Sequence, residues 1–462
     1  MALRQKLSLS YLIAACCGVC VWTNLPVSSQ AAHGDEPIRG DFNPHLAPEP
    51  YPFTDPNDPH RVDSQGCEDG CCQGSGCDDL ACEDFRCSDK KSNLPWGIQL
   101  GGWVEAGVTV NSRDPLNPRA GFGNLPVTFN YRDRELQLNQ LYLFAERETN
   151  GANGLDMGGR LDILYGEDYI FTQSAGLETR TDFSGHWNDG QGADKSGING
   201  SSRNGVAMPQ AYVELAYGKT KTKLGHFYTI IGYETVTAPD NFFYSHAYTM
   251  QYGEPFTHTG ALTTYEAYDR LKLFGGIVNG WDKFDAVSDR ASFLGGFSWT
   301  LPNEQTVFNY SLITGDEDGS APPFAGNRTM YSAVLNHEFN DCWQAIVQHD
   351  LGVQQNGVAA GTDAEWYGLN TYLFRSLTEK LKAGMRYEWF NDDDGTRVVN
   401  EAGVFQEIAT GINWTPCDHV LFRPEARWDW FDPDSDIAPP GPYDNFSTRS
   451  QFTFGVDAII TL

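Results

Sequence analysis

After residue 31 the sequence never strings together the roughly 18 apolar residues that a membrane-spanning helix requires. A bundle of transmembrane helices is thereby excluded, and the mean hydropathy of -0.43 agrees. Basic residues are also scarce, with 32 Lys and Arg against 61 Asp and Glu and a formal net charge of -29. So acidic a chain has little with which to neutralise a phosphate backbone, so nucleic acid is not an expected partner. No G-x-S-x-G nucleophile motif surrounds any serine. His226, His246, His258, His337 and His349 occur without a recognisable Ser and orienting acid beside them, so they read as structural side chains and no enzyme is expected. Self-similarity at a period of about 40–50 residues, the mark of a propeller, is missing. Metal and cofactor sites are not expected either. Asp432-Pro433-Asp434-Ser435-Asp436 imitates the start of an EF-hand loop, but Ile437 replaces its glycine and Tyr443 stands where the bidentate Glu belongs. That turn, with Asp392-Asp393-Asp394-Gly395 and Asp316-Glu317-Asp318-Gly319, reads as loop solvation, with weak surface calcium binding as the alternative.

What is present begins with an export leader. Arg4 and Lys6 precede a mostly apolar stretch over 7–22, and Ser29-Gln30-Ala31 offers a small-x-small cleavage site. Ile13-Ala14-Ala15-Cys16 also resembles a lipoprotein box, which leaves lipidation of Cys16 open. Residues 32–95 form a Pro-rich and then Cys-rich acidic linker, expected on the periplasmic side as a disordered or knotted segment. In an oxidising compartment Cys67, Cys71, Cys72, Cys77, Cys82 and Cys87 are disulfide candidates, with a zinc site as the rival reading. Cys342 and Cys417 fall in tight turns four strands apart, beyond disulfide reach of each other.

From 96 to 462 the chain alternates apolar and polar residues in stretches of about ten. In 97–110, Ile98, Leu100, Val104, Ala106, Val108 and Val110 share one face, opposite Gln99, Glu105 and Thr109. In 381–389, Leu381, Ala383, Met385, Tyr387 and Trp389 oppose Lys382, Arg386 and Glu388. Such alternation fits a membrane barrel but also a soluble sandwich. Connection lengths discriminate. Tight turns at 218–220, 268–269, 301–304, 340–341, 376–379 and 415–418 alternate with longer segments at 111–134, 166–208, 230–257, 279–290, 315–328, 353–363, 391–403 and 431–448. Short connections at one end and long ones at the other predict an all-β, transmembrane, antiparallel up-and-down barrel of about sixteen strands.

A lumen of that width is too large for wall side chains to fill. The 230–257 segment is the third long loop, and it carries Tyr233, Phe242, Phe243, Tyr244, Tyr248, Tyr252 and Phe256 as anchors. It is expected to fold inward as a constriction lined by Tyr233, Glu234, Asp240, His246 and Glu254, the other reading being an aromatic outer loop packed on the rim. Strand parity points Glu105, Arg160, Lys382, Arg386, Glu388, Arg423, Glu425 and Arg427 inward as pore wall, either as a transverse field that sorts solutes or as ion pairs stiffening the sheet.

Several stretches carry a resemblance: LNQLYLFAER (138–147), GGRLDILYGEDYIFTQ (158–173), KLGHFYTIIGYETVTAPDNFFYSHAYTMQYGEPFTHTG (223–260), VNGWDKFD (278–285), QHDLG (348–352), AEWYGLNTYLF (364–374) and EWFNDDDGTRV (388–398). Through them the chain resembles the OmpL-like putative β-barrel porin family of type 2. The resemblance implies a bacterial outer-membrane barrel with a porin role and supplies no known solute. One departure is the ending Ile459-Ile460-Thr461-Leu462, where many such barrels place a terminal aromatic read by the assembly machinery. The expectation is therefore an outer-membrane porin passing small hydrophilic solutes or ions, with outer-membrane lipid and the barrel assembly machinery as partners and a homo-oligomer as one arrangement. The rival is a structural or adhesive protein whose barrel anchors acidic surface loops.

Overall fold

The computed structural model describes residues 94–118, 121–180, 186–188, 203–286, 290–317, 326–435 and 440–462. The leader, residues 32–93 of the linker and the six clustered cysteines predicted from sequence lie outside the described residues. Sixteen antiparallel strands form one closed barrel, each paired with its sequence neighbours. They are β1 (Gln99–Asn111), β2 (Gln137–Arg147), β3 (Asp156–Gly166), β4 (Gly205–Tyr217), β5 (Thr220–Tyr228), β6 (Thr257–Tyr268), β7 (Leu271–Val278) and β8 (Ser292–Thr300). The second half comprises β9 (Thr306–Asp316), β10 (Asn327–Asn340), β11 (Trp343–Ala359), β12 (Thr362–Thr378), β13 (Leu381–Asp392), β14 (Gly403–Cys417), β15 (Val420–Pro433) and β16 (Ser450–Thr461). Closure comes from β1 against β16, running from Trp103 opposite Thr461 to Asn111 opposite Thr453, so the sheet has no free edge.

The alternation read from sequence sets which side of the wall each residue takes. Leu100, Met157, Val213, Ile277, Met385, Trp428 and Ile460 all point outward, and Met157 and Trp428 are 62% and 55% exposed. In water such a continuous apolar band would be a severe liability; against hydrocarbon it is what a spanning barrel presents. Outward aromatics collect toward both ends. Tyr217, Tyr268, Trp299 and Trp414 lie toward the short turns, and Tyr165, Phe293, Tyr367 and Trp389 toward the long loops. This is the double girdle of a membrane barrel, and it rules out the soluble sandwich.

The short connections are 148–155, 218–219, 269–270, 301–305, 341–342, 379–380 and 418–419. At the other end lie L1 (112–136), L2 (167–204), L3 (229–256), L4 (279–291), L5 (317–326), L7 (393–402) and L8 (434–449). One expectation is corrected here. The segment 353–363 is not a long loop, because β11 and β12 continue through it and turn at Ala360-Gly361. A bulge between Gln354 and Ala359, with Asn356 at φ 55°, breaks the apolar alternation without ending the ladder. The polar run Gln354-Gln355-Asn356-Gly357 therefore looks like a loop in sequence while remaining strand.

Candidate constriction and its clamp

A loop without regular structure cannot enter a buried space unless its backbone N–H and C=O groups find partners. L3 has only the 3-10 turn Ala238–Asp240 and the short π-helical turn Thr249–Gly253. It nonetheless crosses the lumen and is buried along nearly its whole length. Its partners are side chains of the barrel wall. Arg423 on β15 donates through Nη1 to the carbonyls of Ala238 and Asn241, at 2.8 and 2.9 Å. Arg386 on β13 donates to Ser245 O at 2.8 Å, and Arg427 on β15 to His246 O at 2.5 Å. Glu388 on β13 accepts from the amides of Tyr248 and Thr249, both at 2.6 Å. Glu425 accepts from Ser245 N at 3.0 Å, Gln140 on β2 donates to Val236 O at 2.7 Å, and Trp366 on β12 donates to Gly253 O at 2.9 Å.

The same cations are neutralised from behind. Arg423 also pairs with Asp457 on β16 at 2.6 Å and Glu105 on β1 at 2.8 Å. Arg386 pairs with Glu407 on β14 at 2.5 Å, and Arg427 with Asp429 at 2.8 Å. All three guanidinium side chains are at most 2% exposed. A charge so deeply buried persists only when paired and hydrogen-bonded, and each of these is both.

The eight predicted wall residues therefore divide. All point inward, but Glu105, Arg386, Glu388, Arg423, Glu425 and Arg427 are covered by L3 and serve as its clamp rather than facing water. Arg160 on β3, paired with Asp162 at 2.7 Å and Glu146 at 3.0 Å, remains partly open to solvent. So does Lys382 on β13, which donates to Gln344 at 3.2 Å and lies over the Phe374 ring.

The five predicted constriction residues divide likewise. Glu234 is a buried internal anchor. It accepts from Arg386 at 2.6 Å, Ala247 N at 2.9 Å and Tyr372 Oη at 3.1 Å, and it meets His246 Nδ1 at 3.1 Å. Burial alone would lift its carboxyl, but Arg386 and His246 outweigh that and hold it down at about 2. Burial pushes His246 below the usual histidine range, so at neutral pH a neutral imidazole faces a carboxylate. The His246 ring packs on Phe129 of L1 with centroids 4.2 Å apart. Glu254 is fully buried beside Gln348 of β11. Only Tyr233, half-buried against Tyr372, and the exposed Asp240 meet solvent.

Two features were not singled out in the sequence. On the long-loop side L3 is roofed by L1, whose Leu125, Val127, Phe129 and Tyr131 are buried, and Tyr252 Oη donates to Pro126 O at 2.7 Å. That half of the lumen is a packed interior that includes Trp366, Phe390, Phe405, Phe431 and Tyr443. On the short-turn side lies an open vestibule, with Glu146, Arg160, Glu214, Lys221, Lys223, Lys272, Glu338 and Lys382 inward and partly exposed. Strand parity could have located the vestibule, whereas nothing local marks the L1 roof.

Residues 97–462 match the family described as putative beta-barrel porin-2, OmpL-like. Among solved structures the chain is similar to an anion-selective porin from Comamonas acidovorans, at 10% identity and TM-score 0.52, covering 79% of this chain and 99% of that one. It is also similar to the outer membrane channel DcaP of Acinetobacter baumannii, at 12% identity and TM-score 0.49, covering 79% and 97%. A third is OmpT of Vibrio cholerae, at 9% identity and TM-score 0.48, with the same two coverages. No curated protein matches the chain.

Proposed function

Because this chain belongs to the OmpL-like putative β-barrel porin-2 family of outer-membrane proteins, we propose that its barrel passes small hydrophilic solutes or ions by diffusion, with L3 setting the narrowest point. The supporting observation is an irregular loop drawn across the lumen and fastened by wall charges, with Tyr233, Pro239, Asp240 and Phe242 turned to the solvent of the vestibule. A porin does no bond chemistry, and nothing in this reading requires a cofactor. Outer-membrane lipid meets the apolar band. Export through a cleaved leader, folding by the barrel assembly machinery and self-association belong to the same proposal.

Single-channel recording in planar bilayers tests it, comparing wild type with Asp240→Asn and Glu234→Gln. Discrete steps are expected, with weaker cation preference in the first variant and noisier or larger currents in the second. The packed long-loop half favours a second reading, a barrel that anchors surface loops. Silence from wild type and both variants, with the folded band intact on unheated gels, would establish that reading instead.

A further inference from the structure

Where L3 returns to the wall before β6, Glu254 is fully buried beside two inward residues of β11, Gln348 and Asp350. One amide nitrogen bridges both acids: Gln348 Nε2 donates to Glu254 Oε1 at 2.5 Å and to Asp350 Oδ1 at 3.0 Å. Among the described residues neither makes an ion pair with Lys, Arg or His, whereas the buried carboxylates Glu105, Glu234, Glu407, Asp429 and Asp457 each have an arginine. Glu254 Oε2 and Asp350 Oδ2 are buried oxygens with no hydrogen bond. An independent third oxygen joins them. Ser332 on β10 is the ladder partner of Asp350, is 2% exposed, and its Oγ lies by Asp350 without a hydrogen bond of good geometry. Gly232 lets the Glu254 carboxyl pack directly against the L3 backbone, because a Cβ there would collide with Oε2.

Two uncompensated carboxyls in a dry interior must be neutralised, by a proton or by a cation. Orphaned oxygens from two carboxylates and a hydroxyl are hard donors of the kind that bind calcium or magnesium, and a doubly charged ion would balance both acids at once. We propose that Glu254, Asp350 and Ser332, braced by Gln348, form a site for a divalent hard cation that pins the C-terminal end of L3 to β11. The site is separate from the arginine clamp, which holds residues 234–249, and it is unrelated to the acidic surface turns.

The test uses the full-length refolded protein in detergent, stripped with a chelator and titrated with calcium or magnesium alone. Stoichiometric binding to wild type and a saturable rise in unfolding temperature are expected. Glu254→Gln with Asp350→Asn should weaken that binding by roughly tenfold or more. Ser332→Ala, a smaller change that keeps both acids, should weaken it less while leaving the barrel folded. Asp393→Asn with Asp394→Asn, on the exposed L7 turn, should leave the buried site's affinity unchanged. The proposal is overturned if wild type and the Glu254/Asp350 variant respond identically to the metal. It is equally overturned if wild type binds no divalent ion and its stability instead rises as pH falls, the signature of a shared proton.

Discussion

Replacing Arg423 by Met keeps the bulk of the side chain and removes its donors. Two of those donations hold L3, to Ala238 O and Asn241 O. Hydrogen bonds from a charged group contribute about 1.5–3 kcal/mol each, so the closed loop loses roughly 3–6 kcal/mol. Glu105 and Asp457 would stay behind without their cation. Closing L3 over them would then desolvate unpaired carboxylates, which adds to the loss rather than offsetting it. At about 1.4 kcal/mol per factor of ten, the open-loop population should rise by at least roughly 10²–10⁴. Hydrogen exchange of the L3 amides reads this directly, and excess current noise reads it in a single channel. Arg160→Met is the control, since Arg160 pairs with Asp162 and Glu146 on the vestibule wall. If Arg423→Met folds and its L3 amides exchange at the wild-type rate, the wall arginines are not what holds the loop.

Acidification should loosen the same loop. Glu234 is held at about 2, below the ordinary value of roughly 4.3, so its stabilisation is complete above about pH 5 and lost as pH falls toward 2. His246 is also depressed, so its contribution begins to fall once pH drops below its ordinary value of about 6.5. Weaker protection of the L3 amides, relative to their intrinsic exchange rates, is expected on going from pH 7 to pH 4, with His246→Gln flattening the upper part of that profile; a flat wild-type protection profile would contradict both assignments. Lipid exposure can be checked at Trp428, where Arg should cost about 2–4 kcal/mol if that position lies near the bilayer midplane. Arg at the inward Asn309 should cost little, and equal costs in chemical unfolding would deny the inside-out assignment.

The barrel was legible because a strand's two faces meet different solvents, so a period of two is written into nearly every strand from Gln99 to Thr461. The exception at 353–363 follows from the same rule, since a bulge shifts the period without ending the strand. Parity also points Arg386, Arg423 and Arg427 inward, where all three are buried against L3. It could not say whether that face meets water or protein, because the answer depends on a loop whose bonds to these arginines span 141 residues or more of chain. The roof formed by L1 is equally non-local: Phe129 meets His246, and Pro126 meets Tyr252, through contacts that no spacing rule connects.

The charges on β13 and β15 and the lack of regular structure in L3 explain one another. A helix or strand crossing the lumen would satisfy its own backbone, and the wall could then be apolar or water-lined. L3 does neither over 234–249, so donors must come from Arg386, Arg423 and Arg427 and acceptors from Glu388 and Glu425. Each wall cation then needs its own counterion in the sheet, which Glu407, Asp457, Glu105 and Asp429 provide. The number of charges inside the barrel is thus set largely by the backbone of one loop. That makes a specific demand on any shortened form. If residues 234–249 were deleted, the clamp would become a set of ion pairs facing water, worth little to stability but newly able to act on passing ions. Larger conductance with altered selectivity is the expected result, and a deletion that left both unchanged would mean that L3 never stood in the path of the permeating ions.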